Sequence, residues 1–274
     1  MTGIVARRET VQQVLLLVLL LLITGLTAGL LAGLLGIGGG LVIVPALSFL
    51  LRARGVEVEI AVPVAVATSL GTMLLTSASA VWFHARRDAV HWPTVARLAP
   101  AMAVGAGLGA VFAAALPGQL LAKVFALLAA LIGIRMLLSL NPSRPPISPY
   151  PRGWWLAGPA IGGVSALMGI GGGSFNVPYL VRNGFAPVQA VAIASACGWP
   201  IALGGVVGFL IAGWNQHLLD LSLGYLFWPG VVVVGMAGAV SAPAGVALAH
   251  RLPAAGLRRI FGLLLLLIAV RMFW

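Results

Sequence analysis

Acidic side chains are nearly missing from this chain, with five Asp and Glu against sixteen Lys and Arg in 274 residues. Charged residues of every kind amount to 8%, where soluble domains carry about 25%. A water-facing surface cannot be assembled from so few charges. Cys197 is the one cysteine, which excludes an intrachain disulfide and a cysteine-based metal cluster. The five acids, Glu9, Glu57, Glu59, Asp88 and Asp220, all fall near segment ends or in loops. So do the four histidines, His84, His91, His217 and His250, which read as interfacial side chains. Proton-driven carriers usually hold a carboxylate or histidine relay at membrane depth; none is expected here. Without paired His, Asp or Glu at depth, there is no set for an intramembrane enzyme and no oxygen cage for a hard cation. No catalytic residue, metal ligand or cofactor is assigned.

What the chain does have is apolar length. AVILMFWYC make up 61% of it and the mean hydropathy is +1.10. At least seven apolar stretches recur, several of 20 or more residues, and about 20 such residues span a hydrocarbon core of roughly 30 Å. The lipid bilayer is therefore the first partner, and an inner (plasma) membrane the expected location. A net charge of +11 could suggest nucleic acid, but the basic residues are scattered and flank apolar segments, as cytoplasmic loops require. Nucleic-acid binding is excluded on that placement. The run 11–35 is longer than a signal h-region and is expected to be retained. Trp82, Trp92, Trp154, Trp155, Trp214 and Trp228 read as an aromatic belt.

The clearest internal signal is GIGGG, at residues 36–40 and again at 169–173, an offset of 133. At that offset Gly25 matches Gly158, Gly29 matches Gly162, Val44 matches Val177 and Pro45 matches Pro178. Later the offset is 136: Trp92-Pro93 matches Trp228-Pro229, Leu116-Pro117 matches Leu252-Pro253 and Arg135-Met136 matches Arg271-Met272. Matches in one order along both halves mark a duplication. The units are residues 1–140 and 153–274, joined by the polar, Pro-rich linker 141–152. Segments are expected at 11–35, 40–51, 61–83, 93–115 and 119–140, then 154–168, 173–183, 188–213, 224–248 and 256–273. The fold class is an all-α polytopic membrane protein of two inverted repeats. Each has about five helical segments, eight to ten in total, with Gly-rich broken or re-entrant helices. Pro45 and Pro178 are the expected helix breaks. With the N-terminus outside, ten basic residues fall on the inner side and six on the outer.

Non-helical backbone at membrane depth is tolerated only inside protein or beside a water-filled cavity. Glycine lets a ligand approach the main chain closely, and the helix that follows each turn points free N–H groups and a partial positive charge back at it. Two such turns facing each other would hold an anion with no cationic side chain. The candidate substrate-binding residues are therefore Gly36, Gly38, Gly39, Gly40, Gly169, Gly171, Gly172 and Gly173. Thr68, Thr72, Thr76 and Ser79 share one helical face. Thr68, the adjoining Ser69, Ser195 (reached by aligning VATS with AIAS), and Ser174 and Asn176 after the second turn are candidate hydrogen-bond donors. The competing reading gives these hydroxyls to their own helix carbonyls and the glycines to helix packing, as for Gly25, Gly29, Gly33, Gly158 and Gly162.

Two copies of an apolar helix running into G-x-G-G-G and then V-P, at residues 36–45 and 169–178, resemble the sulfite exporter TauE/SafE family of membrane permeases. The resemblance runs from about residue 11 to 273. It implies a permease for a small anion, such as sulfite or an organosulfonate, with the motif glycines and Pro45 and Pro178 as family positions. The residues alone reach an anion; sulfur comes from the resemblance. The alternatives carried forward are a channel or permease for another small solute or a metal ion, and an intramembrane enzyme.

Overall fold

The structure is a computed structural model that describes residues 2–35, 39–138, 151, 153–214, 216, 218–219, 221–249 and 254–273. Gly36, Gly38, the linker 141–150, Arg152, His217, Asp220, His250 and Arg251 lie outside the described residues.

The first half forms α1 (Thr2–Leu35), α2 (Gly40–Ala53), α3 (Val58–Ala85), α4 (Trp92–Ala115) and α5 (Gly118–Leu137). The second forms α6 (Trp154–Leu167), α7 (Gly173–Arg182), α8 (Pro187–Gly213), α9 (Trp228–Ala249) and α10 (Ala254–Phe273). Six of these helices are long and apolar enough to cross a membrane. Helix starts follow local chemistry, with Pro93 and Pro187 in the first turns of α4 and α8, where a missing N–H costs nothing. One element was not expected. Ser222–Leu223 (β1) and Leu226–Phe227 (β2) pair as an antiparallel hairpin between α8 and α9, which moves the start of α9 from the expected 224 to Trp228.

Pro45 and Pro178, expected as helix breaks, do not end their helices: α2 and α7 continue through them. Proline has a helical φ and costs one i−4 hydrogen bond, and Leu41 and Val44, buried on α2, pack that helix onto α3. The described helices begin ahead of the prolines, α2 at Gly40 and α7 at Gly173.

The two halves interleave. Gly25 lies against Val234 and Ala237, Gly29 against Gly238 and Gly245 against Leu30, so α1 and α9 run parallel. Gly158 meets Ala101, Gly162 meets Met102 and Gly109 meets Gly163, so α6 and α4 also run parallel. Each half thus lends its first helix to the fourth helix of the other. Small residues bring these backbones close, which is how helices associate where lipid removes the hydrophobic drive. At the centre α3 and α8 cross in opposite directions, with Leu70 against Gly205 and Ser77 against Gly198. Gly133 against Gly262, Leu265 and Leu266 sets α5 beside α10 in the same opposed sense, Leu137 also meeting Gly262. Residues 61–73 of α3 are buried without a break, a pattern found only in a helix surrounded by others. The outer helices carry bare apolar side chains instead, among them Leu15, Val104, Leu108, Val240 and Leu267, a face suited to acyl chains.

Candidate functional site

Of the first Gly motif, Gly39 and Gly40 are described, and both lie inside the protein. Gly39 packs on Ala28, well before the end of α1, and from there α2 runs back along α3. The second turn carries the backbone signature that glycine was expected to allow: φ is +63° at Gly169 and +72° at Gly172, a region costly for side chains with a Cβ. Gly172 then caps α7, accepting from the N–H groups of Phe175 and Asn176.

The two turns touch. Gly40 lies so close to the Gly169 carbonyl that a Cβ on it would fall 2.0 Å from that oxygen. The Ser69 hydroxyl donates to the same carbonyl at 2.7 Å. Two helix N-termini, α2 and α7, therefore begin beside one junction, each with first-turn N–H groups that have no partner within the helix.

The sequence-selected residues separate into three groups here. Thr68 accepts from the N–H of Phe227 in the hairpin at 3.1 Å, and Ser69 holds the second turn. Thr72 donates to its own helix at Ser69 O, and Ser79 donates to Ala239 O across to α9. Those hydroxyls work as interhelical or local bonds. Gly39, Gly40, Gly169 and Gly172 are enclosed by Ala28, by the other turn, by Val44 and Val66, and by Ile201 and Ser165. Among the described candidates, only Gly171 and Ser195 line a cavity of about 40 Å³, shared with Gly33, Met73, Thr76, Ser77 and Gly198. A water needs about 10–15 Å³ of such space, so this half-open room holds a few water-sized groups.

The third group consists of Ser174 and Asn176, on the first turns of α7. Asn176 is fully buried, and neither its amide nitrogen nor its oxygen has a hydrogen-bond partner; nor does Ser174 Oγ. The Cys197 thiol lies near the Asn176 amide, a weak partner at best. Buried polar atoms are paired in the great majority of cases, so an amide and a hydroxyl left open on one helical turn are exceptional. Sequence reading found both residues. It missed Ser77 and Gly198, whose inward direction follows from the α3–α8 crossing and has no local signature. Among the described residues no three of His, Cys, Asp and Glu come together.

A bundle of membrane-length helices, with the starts of α2 and α7 meeting inside it, belongs to the class of polytopic membrane transporters. The model of the sulfite exporter TauE/SafE family matches residues 21–272, and the chain belongs to that family. It is 33% identical over 240 residues to a "probable membrane transporter protein" of Haemophilus influenzae, covering 87% of this chain and 91% of that one. It is 25% identical over 231 residues to another protein so named from Methanocaldococcus jannaschii, covering 81% and 83%. No solved structure matches it. The protein is a multi-pass membrane transporter rather than an enzyme.

Proposed function

We propose that this transporter moves a small anion across the plasma membrane, with sulfur oxyanions and organosulfonates such as sulfite as its substrate class. The observation that carries the reading is the open polar pair, Ser174 and Asn176, on the first turns of α7 at the junction of the two Gly turns. A desolvated anion there is compensated by hydroxyl, amide and backbone N–H donors and by the positive ends of α2 and α7. That is the arrangement broken transporter helices use toward anionic groups. The opposed course of α3 and α8, and of α5 and α10, supports an inverted repeat with units at 1–140 and 153–274, and the ten-to-six distribution of basic residues supports an N-terminus outside.

Passage of an anion past the Gly40–Gly169 contact requires the turns to part. The test is flux in proteoliposomes holding only this protein, with sulfite, thiosulfate, sulfate, a sulfonate and a carboxylate of similar size. Uptake of at least one sulfur anion in preference to the carboxylate supports the proposal. Equal exclusion of every anion, in protein shown to be folded, overturns it.

A further inference from the structure

At the end of the molecule where α2 finishes, four helices border a second, half-open space that the candidate site does not use, with Leu267 and Phe273 on its outer rim. It measures about 820 Å³ and is lined by Pro45, Ser48 and Arg52 of α2, Gln119 and Lys123 of α5, and Arg271 of α10, with Val58 and Val62 of α3 between them. Three cations from three different helices converge on one concavity. Basic side chains at helix ends usually spread into the interface, and no packing need brings these together. Arg271 stays beside the Phe49 ring at 5.8 Å. The two acids nearest in sequence, Glu57 and Glu59, sit at the start of α3, and Glu59 accepts a hydrogen bond from the N–H of Gly118.

We infer that this cup is an oxyanion-binding antechamber, in which Arg52, Lys123 and Arg271 hold a sulfo or phosphoryl group before it reaches the central junction. Along α2 the lining runs from Arg52 inward to Pro45, and at 1.5 Å per residue Gly40 stands only about 7–8 Å further in. A cleft walled by one sign of charge and by low-dielectric helices concentrates its counter-ion and raises the rate of arrival. The sequence repeat returns two of the three cations. At the offset of 136, Lys123 corresponds to Arg259 and Arg271 to Arg135. The binding stands on the cup alone; only the onward passage of the anion rests on the transport reading above.

Lys123 is the one lysine of the chain, so an amine-reactive ester followed by peptide-resolved mass spectrometry reports on this cup. Sulfate, compared with chloride at equal ionic strength, should slow Lys123 labelling several-fold. Arg52→Gln or Arg271→Gln should remove that protection, while Arg52→Lys should keep part of it. Flux through Lys123→Gln should show KM raised several-fold with the maximal rate held. Equal labelling in sulfate and chloride, in protein with wild-type melting behaviour, overturns the inference. A lipid phosphate is the other source of the same chemistry. Nanodiscs of phosphatidylcholine alone and with phosphatidylglycerol separate the two, because protection that needs the anionic lipid and ignores sulfate overturns the antechamber. Protection by sulfate without any flux would sink the transport reading and leave the cup standing.

Discussion

Replacing Asn176 by leucine should make this protein more stable and less able to bind its substrate. The side chain is fully buried with both polar atoms unpaired. A carboxamide offers two N–H donors and two lone pairs, and leaving such a group without partners costs about 1–3 kcal/mol by mutational measures. Leucine keeps the branched shape and removes the polar atoms. Its small excess volume takes back part of the gain, so a net stabilisation of about 1–2 kcal/mol is expected. At roughly 2–4 °C per kcal/mol for chains of comparable size, the unliganded melting temperature should rise by several degrees. If the amide donates to an anion, the same change removes a hydrogen bond to a charged group, about 1.5–3 kcal/mol, which weakens affinity roughly 10- to 150-fold. The assay is thermal unfolding in detergent with and without sulfite, since a ligand stabilises the folded state by mass action, alongside flux in proteoliposomes. A lower melting temperature without ligand would mean the amide is already satisfied. A higher one, with the sulfite shift and the flux intact, would mean that Asn176 is a tolerated defect and no ligand.

Gly29→Ala should destabilise by at least about 1–3 kcal/mol, because its Cβ would sit 2.2 Å from the Gly238 carbonyl and 2.5 Å from its Cα; flux should fall only with the folded fraction, read by size-exclusion chromatography. Gly40→Ala, with its Cβ 2.0 Å from Gly169 O, should abolish transport by wedging the turns apart. Gly55→Ala, where φ is +85° and nothing stands within 4 Å, should cost only the left-handed strain of about 1–2 kcal/mol. Ser69→Ala leaves the Gly169 carbonyl without its 2.7 Å donor and should lower the melting point by an amount equivalent to about 1–3 kcal/mol. Neutralising Glu57, Glu59, Asp88 or Asp220 singly should leave flux in place, and loss of transport with folding intact at any one of them would identify a proton carrier.

The helices were legible because this sequence punctuates them. Apolar runs stop at Gly, at Leu-Pro or at Trp-Pro, and the expected 93–115 and 188–213 lie within a residue of α4 and α8. The α8–α9 hairpin was not legible for a physical reason. Tyr225 and Leu226 are buried, so the segment is as apolar as the helix it precedes, and periodicity cannot separate a short buried strand from helix. Gly224, at φ +55°, is its one local sign. The hydroxyl stripe illustrates a different limit. Its common face was visible from spacing, but a hydroxyl takes whichever acceptor or donor the tertiary structure brings near, and for Thr68 that was a hairpin no pattern announced.

The same reasoning decides which of the selected residues are left to act on a solute. A hydroxyl at membrane depth that has found a partner has spent its capacity on holding helices together, as Ser69 has on the second turn and Ser79 on α9. What distinguishes Ser174 and Asn176 is the failure to find one in a protein interior that rarely tolerates such failure. Their position makes the failure directional. They follow Gly172, whose left-handed φ starts α7, so the donors that cannot be satisfied within the helix and the side chains that are not satisfied outside it belong to the same turn. The glycines supply the close approach of the two halves at Gly40 and Gly169, and in the transport cycle proposed above the polar pair supplies the reason for separating them again. Packing alone would have been served better by a valine at 176.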